Sequence, residues 1–342
     1  MSGFSDLCVA AESIDWSLCI FFSVDIEGAT AYKVETRTQK GNDDWCSLFE
    51  SFYVNLPAYF LNEYSILAEN QSTKDIREPV SPTLWKFVGD EILFYAPLTD
   101  SSQTLEHLRA FRQAIINYNK KLAEQGLKVR CKGTSWIAGF PINNRIVRMP
   151  NEEKNSSHSD IDFIGSSIDC GFRLTKFSSA RMLVVSLDLL WMVTESFKNH
   201  NDATCYDFIA SKIKYAGKYE LKGVFSGQPY PVFWIDMFSE STLEDKWTGT
   251  TIHCEYKEIV TFCENFSSNI NSNDFIKPFI VNDPSQSFNT IPEGFEKQRH
   301  LLLDYKNKLK NKIQQTITPQ PDTNGADLPH GTRQMKPVNK TS

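Results

Sequence analysis

Two short acidic stretches hold residues able to do metal-assisted chemistry: "FFSVDIEGAT" (21–30) and "KFVGDEILFY" (86–95). In the first, Asp25 ends an apolar run and Gly28 follows it. In the second, Gly89-Asp90 interrupts an apolar run. Read alone, Gly89-Asp90 is a hairpin turn, because such pairs tolerate the positive φ that tight turns require. A strand end carrying one Asp and a hairpin tip carrying another can, however, set two carboxylates side by side. Close carboxylates repel unless a cation neutralises them. Hard divalent ions take oxygen ligands, commonly one or two carboxylates plus substrate phosphates. A pair of such ions can activate a hydroxyl nucleophile and stabilise a leaving pyrophosphate.

The elements that must position these residues follow from periodicity. "SLCIFFSVDI" (17–26) is a short apolar run rich in β-formers and predicts a buried strand. From Asp43 to Glu69, aromatic and aliphatic residues recur at helical spacing, with Pro57 expected to kink or split the helix. Residues 82–98 read as strand, tight turn, strand, and 101–126 as a helix ending at Gly126. A strand at 127–141 is followed by a polar insertion, 142–160, expected as a surface loop or hairpin. Next come a helix opening and running through "GSSIDCGFRLTKFSS" (165–179), a strand at 180–186 and a helix at 187–200. Two strands, "KYELKGV" (218–224) and "YPVFWIDM" (230–237), close the pattern. Helices and strands alternate over about 15–240, which predicts one α+β domain within residues 1–240. Residues 241–315 read as an extension with a basic amphipathic helix at 293–315, and 316–342 as a disordered tail.

Composition narrows the classes. The chain has 342 residues, is 41% hydrophobic and carries a net charge of −6, which supports a sizeable core and argues against binding nucleic acid through a basic surface. No apolar run is long enough for a membrane helix. The N-terminus has neither the basic nor the long apolar region of a secretion signal. The eight cysteines are scattered without a Cys-x-x-Cys pair, which predicts reduced thiols in a cytoplasmic protein.

On four motifs in order, the chain resembles the class III nucleotidyl cyclases over about residues 17–236. "FFSVDIEGAT" matches their strand-Asp-Ile-x-Gly motif and "KFVGDEILFY" their Lys-x-x-Gly-Asp hairpin. "GSSIDCGFRL" matches the Gly-x-x-Val-Asn-x-Ala-x-Arg helix, and "ELKGV" the Lys-Gly strand near the domain's end. Within that family, "DFIGSSIDCGFR", Asp169 and the long aromatic helix before the hairpin resemble the bacterial pyrimidine cyclases of Pycsar anti-phage systems.

The resemblance implies a ferredoxin-like core with a mostly antiparallel sheet, and a role for each matching residue. Asp25 and Asp90 would bind two Mg²⁺ or Mn²⁺ ions, with the Ile26 carbonyl as a further ligand. Arg173 would hold the triphosphate, and Thr30 keeps a hydroxyl near the phosphates. Asp169 stands where the family has a ribose-orienting Asn; it keeps the acceptor but loses the amide donor. Ala29 replaces a common Phe, and no match is found for the family's phosphate lysine, with Lys222 read as structural. Lys86 and Asp162 occupy the positions that read the base, in the family's adenine pattern. Lys donates and Asp accepts, and that pairing suits adenine, cytosine and uracil and does not cleanly exclude guanine. Pocket size must decide, and Trp85, Phe87 and Tyr53 are the bulky residues nearby in sequence.

The function implied is conversion of a pyrimidine nucleoside triphosphate, UTP ahead of CTP, into a 3′,5′-cyclic nucleotide read by a separate effector protein in anti-phage defence. Adenylate cyclase is the alternative. The family further implies a homodimer with shared active sites, Asp25 and Asp90 from one chain facing Lys86, Asp162 and Arg173 of the other. A degenerate nucleotide-binding regulator is disfavoured because both aspartates are kept. A palm-type polymerase is disfavoured by the acidic pI and the lack of a basic template stripe.

Overall fold

The apolar alternation of the first strand organises the molecule. In β1 (Ser17–Glu27), Leu18, Ile20, Phe22, Val24 and Ile26 bury into one large core, while Cys19 and Phe21 bury into a second core on the opposite face. The computed structural model describes residues 16–40, 45–69, 80–148, 161–199, 212–238, 256–270, 275–285, 287–292 and 294–317. Of the expected disordered tail, 316–342, residues 318–342 lie outside these residues, as does the extension's 241–255 segment, while 316–317 still belong to a helix.

After β1 come helices α1 (Ala29–Lys40) and α2 (Trp45–Glu69), the hairpin of β2 (Thr83–Val88) and β3 (Glu91–Leu98), then α3 (Gln103–Glu124) and β4 (Arg130–Phe140). These strands lie in the order β2-β3-β1-β4 with antiparallel neighbours throughout. That is the split βαβ arrangement of a ferredoxin-like core, so the expected α+β class holds. Three more strands extend the sheet beyond β4. They are β7 (Met182–Val185), which pairs with β4 in parallel, then β9 (Pro229–Asp236) and β8 (Ile213–Glu220) at the edge. A separate two-stranded ribbon, β5 (Asn144–Arg148) and β6 (Ile161–Gly165), flanks the insertion, whose residues 149–160 lie outside the described set.

The two faces of the sheet are covered differently. Phe52 and Phe60 of α2 and Phe111 and Ile115 of α3 fill the large core, with Phe22 edge-on to Phe60 at 5.0 Å. On the other face, Phe21 stacks on Trp136 of β4 at 5.6 Å and meets Phe163 of β6 edge-on at 5.0 Å. Helix α4 (Ser166–Leu174) lies on this second face, adding Ile168. Its approach depends on Gly171: a Cβ there would fall 2.2 Å from the Trp136 indole. Gly171→Ala is therefore expected to destabilise the fold by about 1–3 kcal/mol, the usual cost of overpacking, read as a lower urea midpoint with an unchanged slope.

Several expectations are corrected. Pro57 does not split α2, which runs through it as one helix; the buried stripe Phe49, Phe52, Leu56, Phe60 and Tyr64 continues across it and holds both halves on one core. The segment after Gly28 forms α1, a helix that the apolar periodicity does not predict. The Lys-Gly stretch is not strand: β8 ends at Glu220 and Lys222-Gly223 form a turn. Helix α5 (Leu187–Asn199) was anticipated, but α6 (Tyr256–Asn269) was not. Ile259, Val260 and Cys263 of α6, with Phe275, Ile280 and Phe288 after it, pack into the large core. The chain forms two compact units, residues 1–300 and 301–342; α7 (Phe295–Ile317) begins in the first, and only its continuation is described in the second. Among the described residues no helix is long and apolar enough to cross a membrane.

Candidate active site

Strand register brings the two acidic turns together. Asp25 lies opposite Glu91 of β3 on one side and opposite Lys132 of β4 on the other. Asp90 is the residue before Glu91, in the two-residue turn whose Gly89 has φ +62°. Side chains directly across an antiparallel pair share a face. Asp25, Glu91 and Lys132 therefore project from the face that carries α4 and β6, away from α2 and α3. Lys132 Nζ lies 3.1 Å from Asp25 Oδ2. Ser23 Oγ donates to Glu91 Oε1 at 2.5 Å. Burial raises the Glu91 pKa above the ordinary carboxylate value, and the charges of Asp25 and Asp90 add to that rise, against the Ser23 hydrogen bond and Lys132. The Tyr53 hydroxyl of α2 donates to the Gly89 carbonyl and braces the turn. Its own pKa is raised by burial and by the nearby Asp90 charge.

β1–β3 pairing stops at Asp25, whereas β1–β4 pairing continues through Ile26 to Glu27, so the β3 side of Ile26 is open. Gly28, at φ +85°, then turns the chain into α1, and Tyr32 N–H donates to the Gly28 carbonyl as the helix's first bond. Thr30 is exposed in that first turn. The amides ahead of Tyr32 have no partner inside the helix and face the end of β1, a setting that favours anionic oxygens.

Lys86 and Asp162 meet directly, at 2.6 Å between Nζ and Oδ1, with side chains 36% and 32% exposed. A β-bulge makes this contact. Leu84 pairs with Phe94 and Lys86 with Leu93, which leaves Trp85 as the extra residue. Without the bulge Lys86 would point toward α2 and α3; with it, Trp85 and Lys86 both face β6. The Trp85 indole is buried beside Phe163, and the Lys86 ammonium sits 4.3 Å from the indole centroid. Asp162 Oδ1 also accepts from the Phe163 amide at 2.9 Å.

Asp169 and Arg173, four apart on α4, share its exposed face, while Ile168, Cys170, Gly171 and Leu174 point inward. Arg173 Nε donates to the Lys222 carbonyl at 3.1 Å, in the turn after β8. The structure thus groups Asp25 with Asp90 and Lys86 with Asp162, and within one chain Arg173 bonds the Lys222 carbonyl.

The solved structures it resembles include nucleotide cyclase domains. They include the adenylyl cyclase CyaB from P. aeruginosa (16% identity, covering 67% of this chain and 97% of that one, TM-score 0.42). The guanylate cyclase domain of RhGC from Catenaria anguillulae in complex with GTP is also similar (12% identity, 65% and 97% covered, TM-score 0.41). So is the guanylyl cyclase Cya2 (14% identity, 65% and 92% covered, TM-score 0.38). No family model matches the chain, and no curated protein matches it.

Four residues of the candidate site escaped the sequence reading of roles: Glu91, Ser23, Lys132 and Tyr53 as a brace. Glu91 is visible in "GDE", but only the pairing register shows that it faces Asp25. Lys132 lies more than 100 residues from Asp25 and reads as an unremarkable strand lysine until β1 and β4 are aligned.

Proposed function

We propose that the protein is a nucleotide cyclase in which the 3′-hydroxyl of a nucleoside triphosphate attacks its own α-phosphorus. The O3′–P bond forms, the bond to the β-phosphate oxygen breaks, and pyrophosphate leaves with that electron pair. The observation that carries this reading is the register that sets Asp25 opposite Glu91 and therefore beside Asp90. Asp25 and Glu91 face one ammonium there, Lys132, with Asp90 next to Glu91 in the turn, which leaves an excess of negative charge suited to a divalent cation. Among the described residues no group of three or more His, Cys, Asp or Glu side chains is placed to hold a metal ion, so an ion here would have to draw further ligands from substrate phosphates and water.

Asp25 and Asp90, with the Ile26 carbonyl, would hold two Mg²⁺ or Mn²⁺ ions, which acidify the attacking hydroxyl and offset charge on the phosphates. Thr30 and the leading amides of α1 would receive phosphate oxygens. Lys86 would donate to the base and Asp162 accept from it, each already aimed by its contact with the other. Arg173 would neutralise charge building on the triphosphate, and Asp169 would accept from the ribose. Arg173 is engaged by the Lys222 carbonyl in its own chain, and the family resemblance supports a homodimer in which α4 of one subunit serves the aspartates of the other.

The substrate proposed is a pyrimidine nucleotide, UTP ahead of CTP, and the product a messenger for an effector protein in anti-phage defence. This rests on the Pycsar-like segment 162–173. Incubating the full chain with all four ribonucleoside triphosphates and Mn²⁺ or Mg²⁺ tests the proposal. Cyclic UMP or cyclic CMP is the expected main product. Equal use of ATP in the mixture overturns the pyrimidine assignment in favour of an adenylate cyclase, and absence of any cyclic product overturns the cyclase reading.

A further inference from the structure

We propose that Lys132 is a built-in counter-ion that competes with the divalent cation for Asp25 and so sets how much metal the site needs. The inference rests on the cyclase reading only in that this reading assigns metal to Asp25.

Lys132 is fixed by register, not by a chance surface rotamer. It lies directly opposite Asp25 across the β1–β4 ladder, with Gly133 and Cys131 of β4 buried on either side. Its ammonium is 3.1 Å from Asp25 Oδ2, and the side chains are only 20% and 29% exposed. It also acts on Glu91, whose carboxyl it stabilises in the charged form. Ser23 engages Glu91 at Oε1. Lys132 is therefore a cation that β4 sets directly against Asp25 and Glu91 at this end of the sheet.

Partial burial gives that ammonium weight. Charges at a half-buried surface interact through a lower effective dielectric than in water. An entering divalent ion must break the Lys132–Asp25 contact or bind beside a like charge. Either route weakens metal binding by the free protein. A metal arriving with a triphosphate meets less opposition, because the phosphates bring negative charge that can face the ammonium. The geometry thus favours loading of metal together with nucleotide over loading of metal alone.

The test measures Mn²⁺ binding to the full chain without nucleotide, by calorimetry and by the loss of the free-ion spin-resonance signal. Lys132→Met keeps most of the aliphatic stem and removes the charge. It is expected to bind Mn²⁺ about 5- to 10-fold more tightly than the wild type, the scale of a half-buried ion pair plus relief of one like charge. Lys132→Arg retains the charge and is expected to stay within about 2-fold of the wild type. Lys132→Gln repeats the neutral substitution should Lys132→Met melt early. Asp25→Asn combined with Lys132→Met is expected to lose the tight site. Unchanged or weaker Mn²⁺ binding by both neutral variants, with binding still dependent on Asp25, overturns the competition and makes Lys132 a residue that merely orients Asp25. If no variant shows Mn²⁺ binding that depends on Asp25, the metal assignment itself falls and this inference with it.

Discussion

Asp25→Ala and Asp90→Ala are each expected to lower cyclic-nucleotide formation by at least ~10³-fold while leaving the fold intact. The size follows from what each carboxylate is asked to do. A divalent ion at a phosphoryl centre contributes several kcal/mol of charge stabilisation, and each 1.36 kcal/mol is tenfold in rate. Stability responds differently. Asp25 is partly exposed and its ion pair with Lys132 is worth about 1 kcal/mol or less after solvent screening. Removing it also relieves repulsion with Asp90 and Glu91, the two charges that bear on the same row. Thermal melting of both variants should therefore stay close to wild type while product, quantified by chromatography, disappears. Wild-type-like turnover by either variant would remove the metal assignment. Loss of activity with a collapsed melting curve would instead make that aspartate a structural turn residue.

How much of this was legible depends on which interactions are local. β1 was readable because alternate residues bury on both faces, which leaves a continuous apolar run ending at Asp25. The β2–β3 hairpin was readable from Gly89-Asp90, since the turn needs φ > 0 and glycine supplies it. Helix α1 was not readable: it carries few apolar residues and starts with Ala-Thr, so no buried stripe announces it. The bulge at Trp85 was not readable either, because any residue can be the extra one and only the pairing partners reveal it. Its consequence is functional, since it turns Lys86 toward Asp162. The resemblance to a family named Lys86 and Asp162 as base readers, but their 2.6 Å contact depends on β6 crossing the far face of the sheet. Lys132 shows the limit most plainly: its meaning lies in one register between strands that are distant in sequence.

Mixing two inactive variants is expected to restore activity. Asp25→Ala removes a metal ligand, and Arg173→Ala removes the phosphate cation that the dimer proposal draws from the other subunit. Within one chain Arg173 donates to the Lys222 carbonyl in the turn after β8. In a two-fold dimer the same surfaces meet twice, so each site would combine one chain's aspartates with its partner's α4. Each homodimer then has two damaged sites. A mixed dimer concentrates both lesions in one site and leaves the other whole. Random exchange makes half of the dimers mixed, and each carries one working site of two, so activity should return to about one quarter of wild type. The experiment needs differently tagged subunits, a pull-down to verify exchange, and the cyclase assay on the same mixture. A parallel mixture of Asp25→Ala with Asp90→Ala is the control: both lesions fall on the same half-site, so every dimer has two damaged sites and no activity should return. Exchange without recovery in the first mixture would mean that Arg173 serves its own chain, which requires it to leave Lys222, or that turnover needs both sites at once.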